Sequence, residues 1–199
     1  MNNKERTDRL IAAVDQMRKN SEEMRMWRNI PLSEECLQLL KDIDDPEENP
    51  EGKALACEAI MEQIPEYDVP RLALDILRYE LDLVHQFDRQ DDDSENLPTE
   101  EEVTGNIRRL EDYIDTENVS DEEFRKRYHR HLKSDPVERT PQWEEIYYEV
   151  EQECDRRLGD TPRGMGFCFS YWGTLRQVLA ERGIKWHSPN QMNPRVMFD

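Results

Sequence analysis

Apolar positions along this chain recur mostly at intervals of three and four residues, the period of a helix that shows one face to a core. Between Lys4 and Trp27 they fall at Leu10, Ile11, Val14, Met17, Met24 and Trp27, which predicts a helix that Pro31 interrupts. Ser33 then reads as the N-cap of a second helix, SEECLQLLKDI. The stretch DDPEENP breaks the chain at Pro46 and Pro50, and EGKALACEAIMEQI resumes the helical pattern as far as Pro65. In DVPRLALDILRYELDLVHQF, Asp68 reads as N-cap and Pro70 as a first-turn residue. Leu72, Leu74, Ile76, Leu77, Leu81, Val84 and Phe87 make this helix apolar over much of its circumference, so it belongs near the centre of a core.

After the polar stretch DRQDDDSENLP the pattern returns. Thr99 and Glu102 form one capping-box signature and Ser120 and Glu123 a second, each ahead of a helical apolar face. Thr140-Pro141 opens a helix through Trp143, Ile146, Tyr147, Val150 and Cys154, which Gly159 stops. A last helix is predicted near Phe169–Arg182, closed by Gly183. No run alternates with period two, so strands are not expected beyond a short one near the end. The fold class is therefore all-α: an irregular bundle of about seven helices with an ordered, partly extended C-terminal segment packed on it. The expected organisation is one helical domain over 1–199, with a candidate seam at 88–99.

Composition adds a second asymmetry. The 199 residues carry a net charge of −19, but residues 1–160 hold −22 and residues 161–199 hold +3. The closing segment is also rich in aromatic residues. Either it docks on the acidic remainder or it takes an acidic partner. Acidic charge disfavours non-specific binding to nucleic acid and to anionic membranes. No apolar run is long enough for a bilayer, and MNNKERTDRLIAAVDQ has no signal-peptide pattern, so a cytoplasmic location is expected. Cys36, Cys57, Cys154 and Cys168 are scattered, which predicts free thiols rather than a disulfide framework or a zinc site.

Candidate chemistry is sparse. Counted from Asp91, a calcium loop would place ligands at Asp91, Asp93, Glu95, the Leu97 carbonyl, Thr99 and Glu102. Asn96 stands where that loop needs glycine, and a solvated linker leading into a helix cap explains the same residues. His129 and His131 would point about 200° apart on a helix and share no metal. Their basic surroundings, FRKRYHRHLK, suit pairing with acidic helices. Cys168 with His187 is a nucleophile–base pair by residue type alone. Glu144, Glu145, Glu149 and Glu153 recur along one helix without the Glu-x-x-His that a bundle metal site needs. No cofactor motif is present. The expected function is a non-enzymatic acidic helical module that binds another protein. The interaction candidates are Phe167, Phe169, Tyr171, Trp172, Trp186, Arg195 and Phe198. Two alternatives stand beside it: a nucleic-acid mimic that blocks a basic DNA-binding protein, and a carboxylate-based metal protein or enzyme.

Overall fold

In a computed structural model of the protein, residues 1–43, 50–87 and 96–198 are described. All regular structure among them is helical, with nine α-helices and no strand. They cluster into two compact units, Met1–Glu111 and Asp112–Asp199.

In the first unit, α1 (Asn3–Glu22) starts from a reciprocal cap, in which Asn2 Oδ1 accepts from the Glu5 N–H and Glu5 Oε2 accepts from the Asn2 N–H. The helix predicted to reach Trp27 stops earlier. Met24 takes a left-handed backbone (φ 56°), and Met26–Arg28 form a 3₁₀ turn. Next, α2 (Asn29–Asp42) begins four residues before the predicted cap. Pro31 sits in its first turn, where a missing N–H costs nothing, and Ser33 is a buried helical residue whose hydroxyl donates to the Ile30 carbonyl. The corner is fixed by side-chain amides. Asn29, fully buried, donates to the carbonyls of Met17 and Gln63 and accepts from Asn20.

Pro50, read as a breaker, is the first residue of α3 (Pro50–Met61). Helix α4 (Pro70–Val84) opens from Val69 rather than Asp68, with no side-chain cap, because Pro70 supplies the first turn. As expected, α4 is central to its unit: Leu74, Ile76, Leu77, Leu83 and Val84 are buried, and α4 packs along α3 as α1 packs along α2. Helix α5 (Glu100–Ile114) carries the Thr99–Glu102 capping box.

In the second unit, α6 (Asp121–Arg127) has the expected Ser120–Glu123 capping box. It ends sooner than its apolar pattern implies. His129 has φ 53° and, with His131, lies beyond the helix. A 3₁₀ turn, Pro136–Arg139, leads to α7 (Pro141–Leu158), capped by Thr140 and stopped by Gly159 (φ 52°). Helix α8 (Phe167–Glu181) packs against α7, and α9 (Pro189–Met192) is a single turn where a short strand was expected. The basic run of α6 pairs with acids, through Arg125 to Asp121 at 2.8 Å and Arg127 to Asp112 at 2.5 Å.

Candidate functional site

The C-terminal segment divides into a buried half and an exposed half. Gly183 (φ 75°) ends α8 in a Schellman turn, with Ile184 N–H on the Leu179 carbonyl and Gly183 N–H on that of Ala180. The chain then runs back over α7 and the Pro136–Arg139 turn, and polar anchors hold it there. Trp186, 4% exposed, stacks on Trp143 at 6.4 Å, and its indole N–H donates to Glu138 Oε1 at 2.7 Å. Asp135, itself buried, accepts from the His187 backbone N–H at 2.8 Å, and His187 Nδ1 lies 2.6 Å from the same oxygen. Asn193 exchanges two hydrogen bonds with the Lys133 backbone, both 2.9 Å. Leu175, Val178, Leu179, Ile184 and Trp186 all enter the core.

The other half faces outward. Phe169, Trp172, Arg176 and Ala180 follow one another at helical spacing and share one face of α8. Phe169 is 47% exposed, and Trp172 stands edge-on to both Phe169 and Phe198, at 5.5 and 5.2 Å. Met165, Val196 and Met197 are exposed as well. Beyond Arg176 the face opens into a shallow cleft of about 450 Å³, bounded by Ile184, Lys185, Trp186 and His187. Arg176, Lys185 and Arg195 are exposed and make no ion pair among the described residues. The face is thus apolar and cationic in a chain of net charge −19.

Of the seven interaction candidates, Phe169, Trp172 and Phe198 form the aromatic surface and Arg195 is exposed. Trp186 belongs to the core. Tyr171 hydrogen-bonds to Glu151 of α7, and Phe167 stacks on Tyr171 at 6.4 Å. Of the calcium-loop candidates, Asp91, Asp93 and Glu95 lie outside the described residues, while Thr99 and Glu102 cap α5. On α7, Arg156 and Arg157 grip Glu153 and pull its carboxyl down to about 2. No three His, Cys, Asp or Glu side chains among the described residues converge on a metal position. All four cysteines are thiols; burial pushes Cys36 up to about 11 and Cys154 to about 12.

A second feature, in the first unit, escaped the reading of the sequence. A cleft of about 730 Å³ opens between the end of α3 with its following turn, α4, α5 and the short segment before α5. Glu58, Glu62, Glu66, Glu80 and Glu102 line it, over apolar Met61, Ile64, Leu77 and Val103. Two of these acids are engaged: Arg109 holds Glu66 through paired contacts of 2.6 and 3.0 Å, and Glu102 serves the Thr99 cap. Glu58, Glu62 and Glu80 have no cationic partner among the described residues. Glu80 is only 2% exposed, and no hydrogen bond reaches its side chain from a described residue. Burial, with the nearby Glu58 charge second, lifts its carboxyl to about 7. Glu58 is raised too, by burial first and then by Glu102 and Glu62. The spacing did carry a signal, since Glu80 stands in register with Ala73, Ile76, Leu77 and Val84 on the buried stripe of α4.

Compared with family models, curated proteins and solved structures, the chain has no significant match in any of the three.

Proposed function

We propose that this chain is a non-enzymatic interaction module whose docking surface is the outer face of α8, and that its partner is a protein presenting an acidic, amphipathic segment. One observation carries this reading: an aromatic cluster in which Phe169 is exposed and Trp172 and Phe198 are half-buried shares its segment with Arg176, Lys185 and Arg195, which are exposed and make no ion pair among the described residues, in a strongly acidic molecule. Exposed contiguous apolar area favours a partner, and large rings at its centre are the residue type that dominates binding energy. The local cations select the sign of that partner, while the remaining acidic surface repels other acidic proteins. Arg176 sits one turn beyond Trp172, so a helix or strand lying along α8 would meet rings first and positive charge next.

The test is photo-crosslinking in the source cell from a benzoylphenylalanine placed at Phe169. Gln177, exposed on another face of the same helix, serves as the control position. The expected result is a crosslink to an acidic, apolar-patterned segment of another protein, lost in Arg176→Glu. Equal labelling from position 177, a crosslink to a second copy of this chain, or retention of the crosslink in Arg176→Glu would each contradict the reading.

A further inference from the structure

We propose that the cleft between α3, α4 and α5 is a binding site for an alkylammonium ion, with Glu80 receiving the ammonium group. The inference concerns the first unit and is independent of the α8 face.

The geometry supports it in three steps. The charge on the walls is one-sided, since five glutamates face one arginine, and that arginine is already committed to Glu66. Glu80 lies deepest. A buried carboxylate ordinarily has a counter-ion or hydrogen-bond donors, because a bare buried charge is costly. Among the described residues none supplies either, and no side-chain oxygen fully shut off from solvent lacks a partner, so the Glu80 carboxylate is open to the cleft and a cation entering there can reach it.

The donor arrangement then selects the kind of cation. The carboxylates are spread along the lining rather than gathered on one point, and no three of them meet the requirement of a metal ion. Between them lie Met61, Ile64, Leu77 and Val103, a surface that suits methylene groups. An ammonium head on an alkyl stem matches both features: the head reaches Glu80, the stem lies on the apolar wall, and Glu58 and Glu62 attract it electrostatically. The cleft's volume is within the range of small-molecule sites. Two sources carry this chemistry, a free polyamine or a lysine side chain of a protein.

Binding should also be coupled to protons. Sharing the cleft with Glu80 are Glu58, Glu62 and Glu66 from α3 and the turn after it and Glu102 and Arg109 from α5; of these Glu58 acts on it electrostatically, and the buried Cys57 thiol of α3 is close enough to feel its charge. An arriving cation favours the ionised form of Glu80, so it expels a proton wherever that group was protonated. Affinity should therefore rise as pH passes upward through neutrality.

Isothermal titration calorimetry on the full chain at low salt tests this, with spermidine and with the blocked tripeptide acetyl-Gly-Lys-Gly-amide as separate probes. Magnesium chloride is the control. The expected result is saturable one-site binding of at least one ammonium probe, the tighter of the two identifying the source. Near pH 7 the heat should vary with the buffer's ionisation enthalpy, showing proton release. Glu80→Gln should weaken binding by about tenfold or more. Val103→Trp, which fills the cleft and leaves Glu80 in place, should abolish it; thermal melts check that both variants fold. Failure of both probes, affinity unchanged from the natural chain in either variant, or magnesium binding as tightly as the ammonium probes would overturn the proposal.

Discussion

At the scale of single residues, Glu80 makes the stability of the first unit depend on pH. Its carboxyl moves from 4.5 in the unfolded chain to about 7 when folded. Between those values the folded protein binds more protons than the unfolded one, so stability falls as pH rises through this window. The loss is complete above about pH 7. Gln at position 80 keeps the shape and never ionises. Glu80→Gln should therefore match the natural chain near pH 4 and exceed it at pH 8 by up to about 3 kcal/mol. Urea unfolding at the two pH values measures the difference. A gap that does not change with pH would mean that Glu80 is satisfied in the folded protein. The sequence displayed Glu80 on an apolar stripe, yet nothing local distinguishes a buried glutamate from one at a helix edge. Only the packing of α3 and α5 against α4 makes that distinction.

At the scale of elements, the end of α5 shows how a helix terminus can be closed from a distance. Arg139, 4% exposed, donates to the carbonyls of Asp112, Tyr113 and Val119 at 3.0, 2.6 and 2.9 Å. Its guanidinium also lies over Tyr113 and Phe124, at 5.4 and 5.5 Å. A cation at a helix C-terminus satisfies last-turn carbonyls and opposes the helix dipole. Arg139→Met leaves those carbonyls without their donor and should cost about 3 kcal/mol, read by chemical unfolding. Arg139→Lys should recover part of this, since one ammonium lacks the span of a guanidinium. A neutral effect of Arg139→Met would show that water replaces the donors freely. Caps made by neighbours in sequence were legible: Thr99 with Glu102, Ser120 with Glu123, Thr140 before Pro141, and the glycines at 159 and 183. Caps and corners made by partners far along the chain were not. Arg139 reaches back twenty residues or more, and Asn29 fixes a corner through Gln63. Prolines misled where they open a helix, as Pro31 and Pro50 do, because the same residue marks both a stop and a first turn.

At the scale of the whole molecule, a strongly charged helical chain has few large side chains to spare, and the C-terminal segment uses its own in two ways. Leu175, Val178, Leu179, Ile184 and Trp186 extend the core of the second unit, while Phe169, Trp172 and Phe198 remain at its surface. Helical periodicity announced that the segment is ordered. It did not announce the division, which depends on where α7 and the Pro136–Arg139 turn run: Trp186 meets them and is covered, whereas Phe169 is exposed and Trp172 and Phe198 stay half-exposed. The proposed docking role depends on that division. Incorporating 5-fluorotryptophan and recording ¹⁹F spectra in light and heavy water tests it directly, with the four signals assigned by single Trp→Phe variants. The expected outcome is a solvent-isotope shift at Trp172 and almost none at Trp27, Trp143 and Trp186. A shift at Trp186 as large as that at Trp172, or no shift at Trp172, would contradict the division on which the proposed docking face rests.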